Sequence, residues 1–150
     1  MKGGWFELGH YRDAPVRLHW TALVVPIVLS GFRIDLAYIL GFVAMVFVHE
    51  VGHAYVSRRR KLRVVEIAIH GMGGHCRHER GSELDGQVIA WGGVLAQAWL
   101  SVAIRMLLWS EHAWDLGIVD DPWIAAQLAS FVSMNEGIAL FNLIPYKRLD

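Results

Sequence analysis

Apolar residues gather into four stretches, residues 18–32, 36–56, 88–109 and 123–144, separated by short polar segments. Crossing a hydrocarbon core about 30 Å thick takes about 20 helical residues at about 1.5 Å each, and the second, third and fourth stretches supply that length. The first is shorter and contains Pro26. A membrane helix tolerates proline where neighbours satisfy the freed carbonyl, so this stretch reads as a short or tilted span. Between the second and third stretches, residues 62–70 alternate in part, with Val65, Ile67 and Ile69 on one side, and run into Gly71, Met72, Gly73 and Gly74. That pattern predicts a strand and a glycine-rich turn. Ser82 and Asp85 then have the spacing of a capping box, which places the start of the third helix there. The expected architecture is an all-α polytopic membrane protein: about four transmembrane helices, with a short β-hairpin between spans two and three.

Charge placement orients these spans. Lys2, Arg12 and Arg17 precede the first; Arg58, Arg59, Arg60, Lys61 and Arg63 follow the second; Arg77 and Arg80 precede the third; Lys147 and Arg148 follow the fourth. A four-span topology puts all of them on one face, and short cytoplasmic loops are the ones rich in lysine and arginine. The other face receives only the turn at 33–35 and the loop carrying Glu111, Asp115, Asp120 and Asp121. Both termini and the basic loops are therefore expected in the cytoplasm.

Composition agrees with a lipid bilayer as the surroundings. Hydrophobic residues make up 55% of the 150 residues and charged residues 19%, more apolar surface than soluble domains carry. The competing reading, a soluble helical protein with a rich core, is disfavoured by the lengths of the spans. The length suits a single domain covering residues 1–150. The 14 basic and 14 acidic side chains cancel, so no nucleic-acid partner is expected. A single cysteine, Cys76, excludes an intramolecular disulfide, and residues 1–17 are too polar to read as a removable signal peptide.

The segment His49-Glu50-Val51-Gly52-His53 lies in the second span. On a helix, residues four apart are displaced by only about 40°, so both imidazoles reach one ion. Neutral imidazole suits Zn²⁺, and a catalytic zinc takes three protein ligands with a fourth position left for water. Glu50 projects about 100° from His49, beside such an ion, where a general base belongs. Histidines and a carboxylate in a membrane span are costly unless paired or functional, which argues against an accidental motif. Candidates for the third ligand are His19, His70, His75, His78, Cys76, Glu136 and Asp150.

Together with Asn142-Leu143-Ile144-Pro145-Tyr146-Lys147-Arg148-Leu149-Asp150, this segment resembles the paired signature of the site-2 protease family, H-E-x-x-H on one transmembrane helix and N-x-x-P-x-x-x-L-D on another. The resemblance implies an intramembrane endopeptidase with one zinc ion, cutting in or near transmembrane segments of membrane-spanning protein substrates in regulated proteolysis. It implies His49, His53 and Asp150 as ligands, Glu50 as catalytic base, and Asn142 as the residue that positions substrate or stabilises the oxyanion. A bacterial or archaeal cell membrane is the expected location. The alternative is a catalytically inactive membrane binding protein that keeps the protease fold. Family members continue past the aspartate, whereas this sequence ends at Asp150, so a C-terminal truncation is expected.

Three further features have plainer readings. Gly92 and Ala96, one turn apart, form a small-residue face for close helix packing. His70, His75, Cys76 and His78 sit in a basic segment without the spacing of a tetrahedral metal site, and a membrane-associated hairpin is the favoured reading; in relatives of this type such a segment can pair with an extended substrate. Glu136 either lines the site or pairs with Arg105.

Overall fold

The computed structural model describes residues 3–115, 117 and 120–143. Its first elements are strands. β1 (Trp5–Tyr11) and β2 (Ala14–His19) form an antiparallel hairpin across Arg12 and Asp13. β3 (Val64–His70) runs parallel to β2, with Val16 opposite Ile67 and Leu18 opposite Ile69. β4 (Gly73–His78) returns antiparallel to β3, giving the order β1-β2-β3-β4. A parallel pair needs a long crossover. Here it is made by a 3₁₀ turn (Trp20–Leu23), α1 (Val24–Leu29) and α2 (Leu36–Arg59).

The predicted hairpin between spans two and three is present as β3 and β4, but it is half of a four-stranded mixed sheet. The N-terminal half was not predicted. Pro15 speaks against a strand, and β2 accommodates it because its pairing with β3 begins one residue later, at Val16. The β3–β4 turn uses Gly71 and Met72, and Gly73 has φ +118°, a conformation that side chains strongly disfavour.

The first apolar stretch is helical over fewer residues than the expected 18–32. Residues through His19 are committed to β2, leaving an apolar helical segment, Trp20–Leu29, whose last six residues are α1. It ends where the Ser30 hydroxyl donates to the Ile27 carbonyl at 2.9 Å and Phe32 takes φ 64°. Pro26 falls in the first turn of α1, where backbone N–H groups have no intrahelical acceptor in any case. Among the described residues, two helical segments are long and apolar enough to cross a membrane, Leu36–Arg59 and Glu83–His112.

Local chemistry fixes where the helices begin. The Asp35 carboxylate accepts the backbone N–H groups of Ala37 and Tyr38, capping α2, while Arg58 and Arg59 in the last turn oppose its negative end. The capping box is realised: the Asp85 N–H donates to Ser82 Oγ and the Ser82 N–H to Asp85 Oδ2, opening α3 (Glu83–Trp114). Asp121 caps α4 (Pro122–Leu143), with Pro122 at its first position.

The chain divides into two compact units, residues 1–96 and 97–150, the division falling inside α3. In the first, one face of the sheet packs on α2 around buried Ala14, Val16, Ala54, Val64 and Ile67, with Tyr11, Phe47, Val51 and Cys76 against them. In the second, the buried Asn135 amide donates to the Gln97 carbonyl at 3.0 Å and to Ser101 Oγ at 2.7 Å, tying α4 to the C-terminal half of α3. Arg105 pairs with Glu136 in the same unit, the second of the two readings open for that carboxylate. Trp99, Met106, Trp109 and Leu140 are exposed, as apolar surface facing lipid would be.

Candidate metal centre

α2 brings His49, Glu50 and His53 together by helical geometry alone. One ligand atom from each lies within 4.8 Å of the others, and among the described residues this is the one such group of three or more potential metal-binding side chains. The two Nε2 atoms are 3.0 Å apart. A tetrahedral zinc with nitrogens at about 2.0–2.1 Å would hold them about 3.3 Å apart, so the pair needs to open by only a few tenths of an ångström.

The His53 ring is oriented from outside α2. Its Nδ1 lies 2.7 Å from the Ile89 carbonyl oxygen. A carbonyl only accepts, so the proton is on Nδ1 and Nε2 keeps its lone pair toward His49. That is the tautomer a metal requires. Glu50 is buried, and its Oε2 has no hydrogen-bond partner among the described residues. A buried carboxylate oxygen without a donor is costly, and it belongs where a ligand or reacting group will come. The donor set and the orphaned oxygen therefore fit a zinc ion.

Glycines let the surrounding backbone close in. A Cβ on Gly52 would meet the Gly92 carbonyl and lie 2.7 Å from the Ala96 Cβ, and one on Gly92 would lie 2.6 Å from the Gly52 carbonyl oxygen. α2 and α3 thus cross in backbone contact on the small-residue face of Gly92 and Ala96. On another side, β4 passes over Glu50: a Cβ on Gly74 would lie 2.6 Å from Glu50 Cγ and 2.7 Å from Oε1.

The other candidate ligands go elsewhere. His19 bonds Thr21 Oγ1 and the Gly3 carbonyl, His70 Nδ1 accepts the Met72 N–H, and His78 Nδ1 donates to the Glu79 carbonyl. His75 lies 3.7 Å from Glu66. Cys76 packs in the core of the first unit, where burial pushes its thiol up to about 12. Asn142 occupies the last turn of α4 and is exposed. Asp150 and Pro145 lie outside the described residues. The Ile89 carbonyl and Gly93 border the site without having been singled out, and Gly74, expected only in the glycine-rich turn, borders it as well.

No family model and no curated protein sequence matches the chain significantly. Among solved structures it is similar to the Site-2 Protease from Methanocaldococcus jannaschii, at 23% sequence identity and a TM-score of 0.69, over 95% of this chain. The chain spans 66% of the length of that structure. With the metal-ligand group already on α2, this likeness establishes that the chain has the fold of a site-2 protease.

Proposed function

We propose that the chain is an intramembrane zinc endopeptidase of the site-2 protease family, cutting peptide bonds in or near transmembrane segments of other proteins. The observation that carries this reading is the His49–His53 pair, held by the Ile89 carbonyl in the metal-binding tautomer beside a buried, unpartnered Glu50 oxygen. The fold supports it, as do two helices able to cross a membrane.

In this reading His49 and His53 hold the ion, and Asp150 completes the set by the family signature. The bound zinc would polarise the scissile carbonyl and ease deprotonation of water. Glu50 takes the proton from the attacking water as the new C–O bond forms and delivers it to the amide nitrogen as the C–N bond breaks. Asn142 donates its amide N–H to the carbonyl oxygen as negative charge develops there. A transmembrane substrate must leave its helix before its amide can enter, because a helical carbonyl is engaged by the N–H four residues on. Segments with weak helix propensity are then the preferred substrates. In this reading such an extended segment pairs with β4, an edge strand whose Gly74 lies against Glu50. The basic loops and both termini lie in the cytoplasm.

The test is cleavage of a model transmembrane substrate by the purified full-length protein, alongside its metal content. The proposal expects one zinc per chain, and a Glu50→Gln variant that keeps zinc and loses cleavage. Absence of zinc from the active wild-type protein would defeat it.

A further inference from the structure

α3 meets the imidazole pair with bare backbone. A Cβ built on Gly93 would lie 2.5 Å from His49 Nε2 and 2.6 Å from His53 Nε2, closer than real Cβ atoms approach other groups. These are the two atoms that would carry the metal. A zinc at about 2.0–2.1 Å from both nitrogens and a methyl group this near them claim the same volume. Gly92, one residue earlier, is different in kind: its Cβ would strike the Gly52 carbonyl at 2.6 Å and Val56 Cγ2 at 2.9 Å, which is helix packing away from the imidazoles. Gly86, in the first turn of the same helix, would meet nothing within 4 Å.

We infer that Gly93 is a positioning residue of the metal centre, its missing side chain being the room in which the ion sits. The inference rests on the metalloprotease reading and adds a wall to it. Helical geometry connects the two contributions of α3. The Ile89 carbonyl, which receives the Gly93 N–H along the helix, also receives His53 Nδ1–H, so one turn of α3 both sets the ring and clears the space in front of it. Without metal, an added methyl can be accommodated, because imidazoles are the free ends of side chains and can swing aside. With metal they cannot, since both nitrogens must converge.

Zinc affinity and thermal melting of the full-length protein in detergent test this. Gly93→Ala is expected to weaken zinc by about 10–100-fold, as large as the loss of an outer-shell ligand partner, while the metal-free protein melts within a few degrees of wild type. Gly86→Ala should bind zinc as wild type does. Equal zinc affinity in Gly93→Ala and wild type would overturn the inference and leave the protease reading standing. A wild type that binds no zinc would defeat both. Should Gly93→Ala fail to fold, the same substitution in a His49→Ala/His53→Ala background decides. Melting like its parent there supports a collision with the imidazoles; melting well below its parent places the collision elsewhere and overturns the inference.

Discussion

Two segments of the first unit are rich in potential metal ligands, and only one of them assembles a site. On α2, His49 and His53 are four residues apart and share one helix face, so their Nε2 atoms come within 3.0 Å. On β3 and β4, His70, His75, Cys76 and His78 offer more donors, yet each is drawn to a different neighbour. A strand sends successive side chains to opposite faces, so Cys76 enters the core while His75 turns toward Glu66. The rings of His70 and His75 stay 5.8 Å apart. Donor count is therefore a poor guide to a metal centre; the period of the backbone beneath the donors decides.

The sharpest way to break this comparison is to remove a ligand from the helix. His53→Ala is expected to abolish both stoichiometric zinc and cleavage, read by metal analysis and by a transmembrane substrate; retention of zinc would move the site off α2. Glu50→Gln should lower the cleavage rate by about 10²–10⁴-fold and keep zinc, which separates a base from a ligand. A third effect tests the hairpin. With its thiol pushed up to about 12, Cys76 is almost wholly protonated at pH 8, and its thiolate fraction grows only as pH rises toward that value. Alkylation of the folded protein at pH 8 should lag the denatured chain by a factor on the order of a hundred or more, measured by mass spectrometry. Gly92→Ala should destabilise the α2–α3 crossing by about 1–3 kcal/mol, as overpacking does, seen as a lower melting temperature with or without zinc. The smallest effect belongs to His75→Ala and His78→Ala, expected to leave zinc content unchanged.

What could be read in advance followed from local periodicity. His49 to His53 is a helical spacing, residues 62–74 hold a strand and a turn, and Ser82 with Asp85 marks a helix start; each lies within a few residues and is present. Val65 is nevertheless exposed while Ile67 and Ile69 are buried, because a bulge between Val64 and Glu66 shifts the register. The N-terminal hairpin was hidden because Pro15 argues against a strand, and because β2 is stabilised by β3, whose paired residues lie just over fifty positions away in the chain. The stretch at 18–32, read as a short or tilted span, is helical only over Trp20–Leu29, because hydropathy does not register that His19 is already paired in the sheet. Gly74, Gly93 and the Ile89 carbonyl act at the site through what they lack or through backbone, and no side-chain motif announces either. The Asn142 to Asp150 signature was found through family resemblance, and of its named positions Asn142 is the one that falls within the described residues.

X-ray absorption at the zinc edge of the full-length protein tests most directly the claim that the helix, not the hairpin, holds the metal. The account predicts a first shell of nitrogen and oxygen at about 2.0–2.2 Å, with the scattering pattern of two imidazoles. A zinc–sulfur distance of about 2.3 Å would place Cys76 in the shell and contradict it.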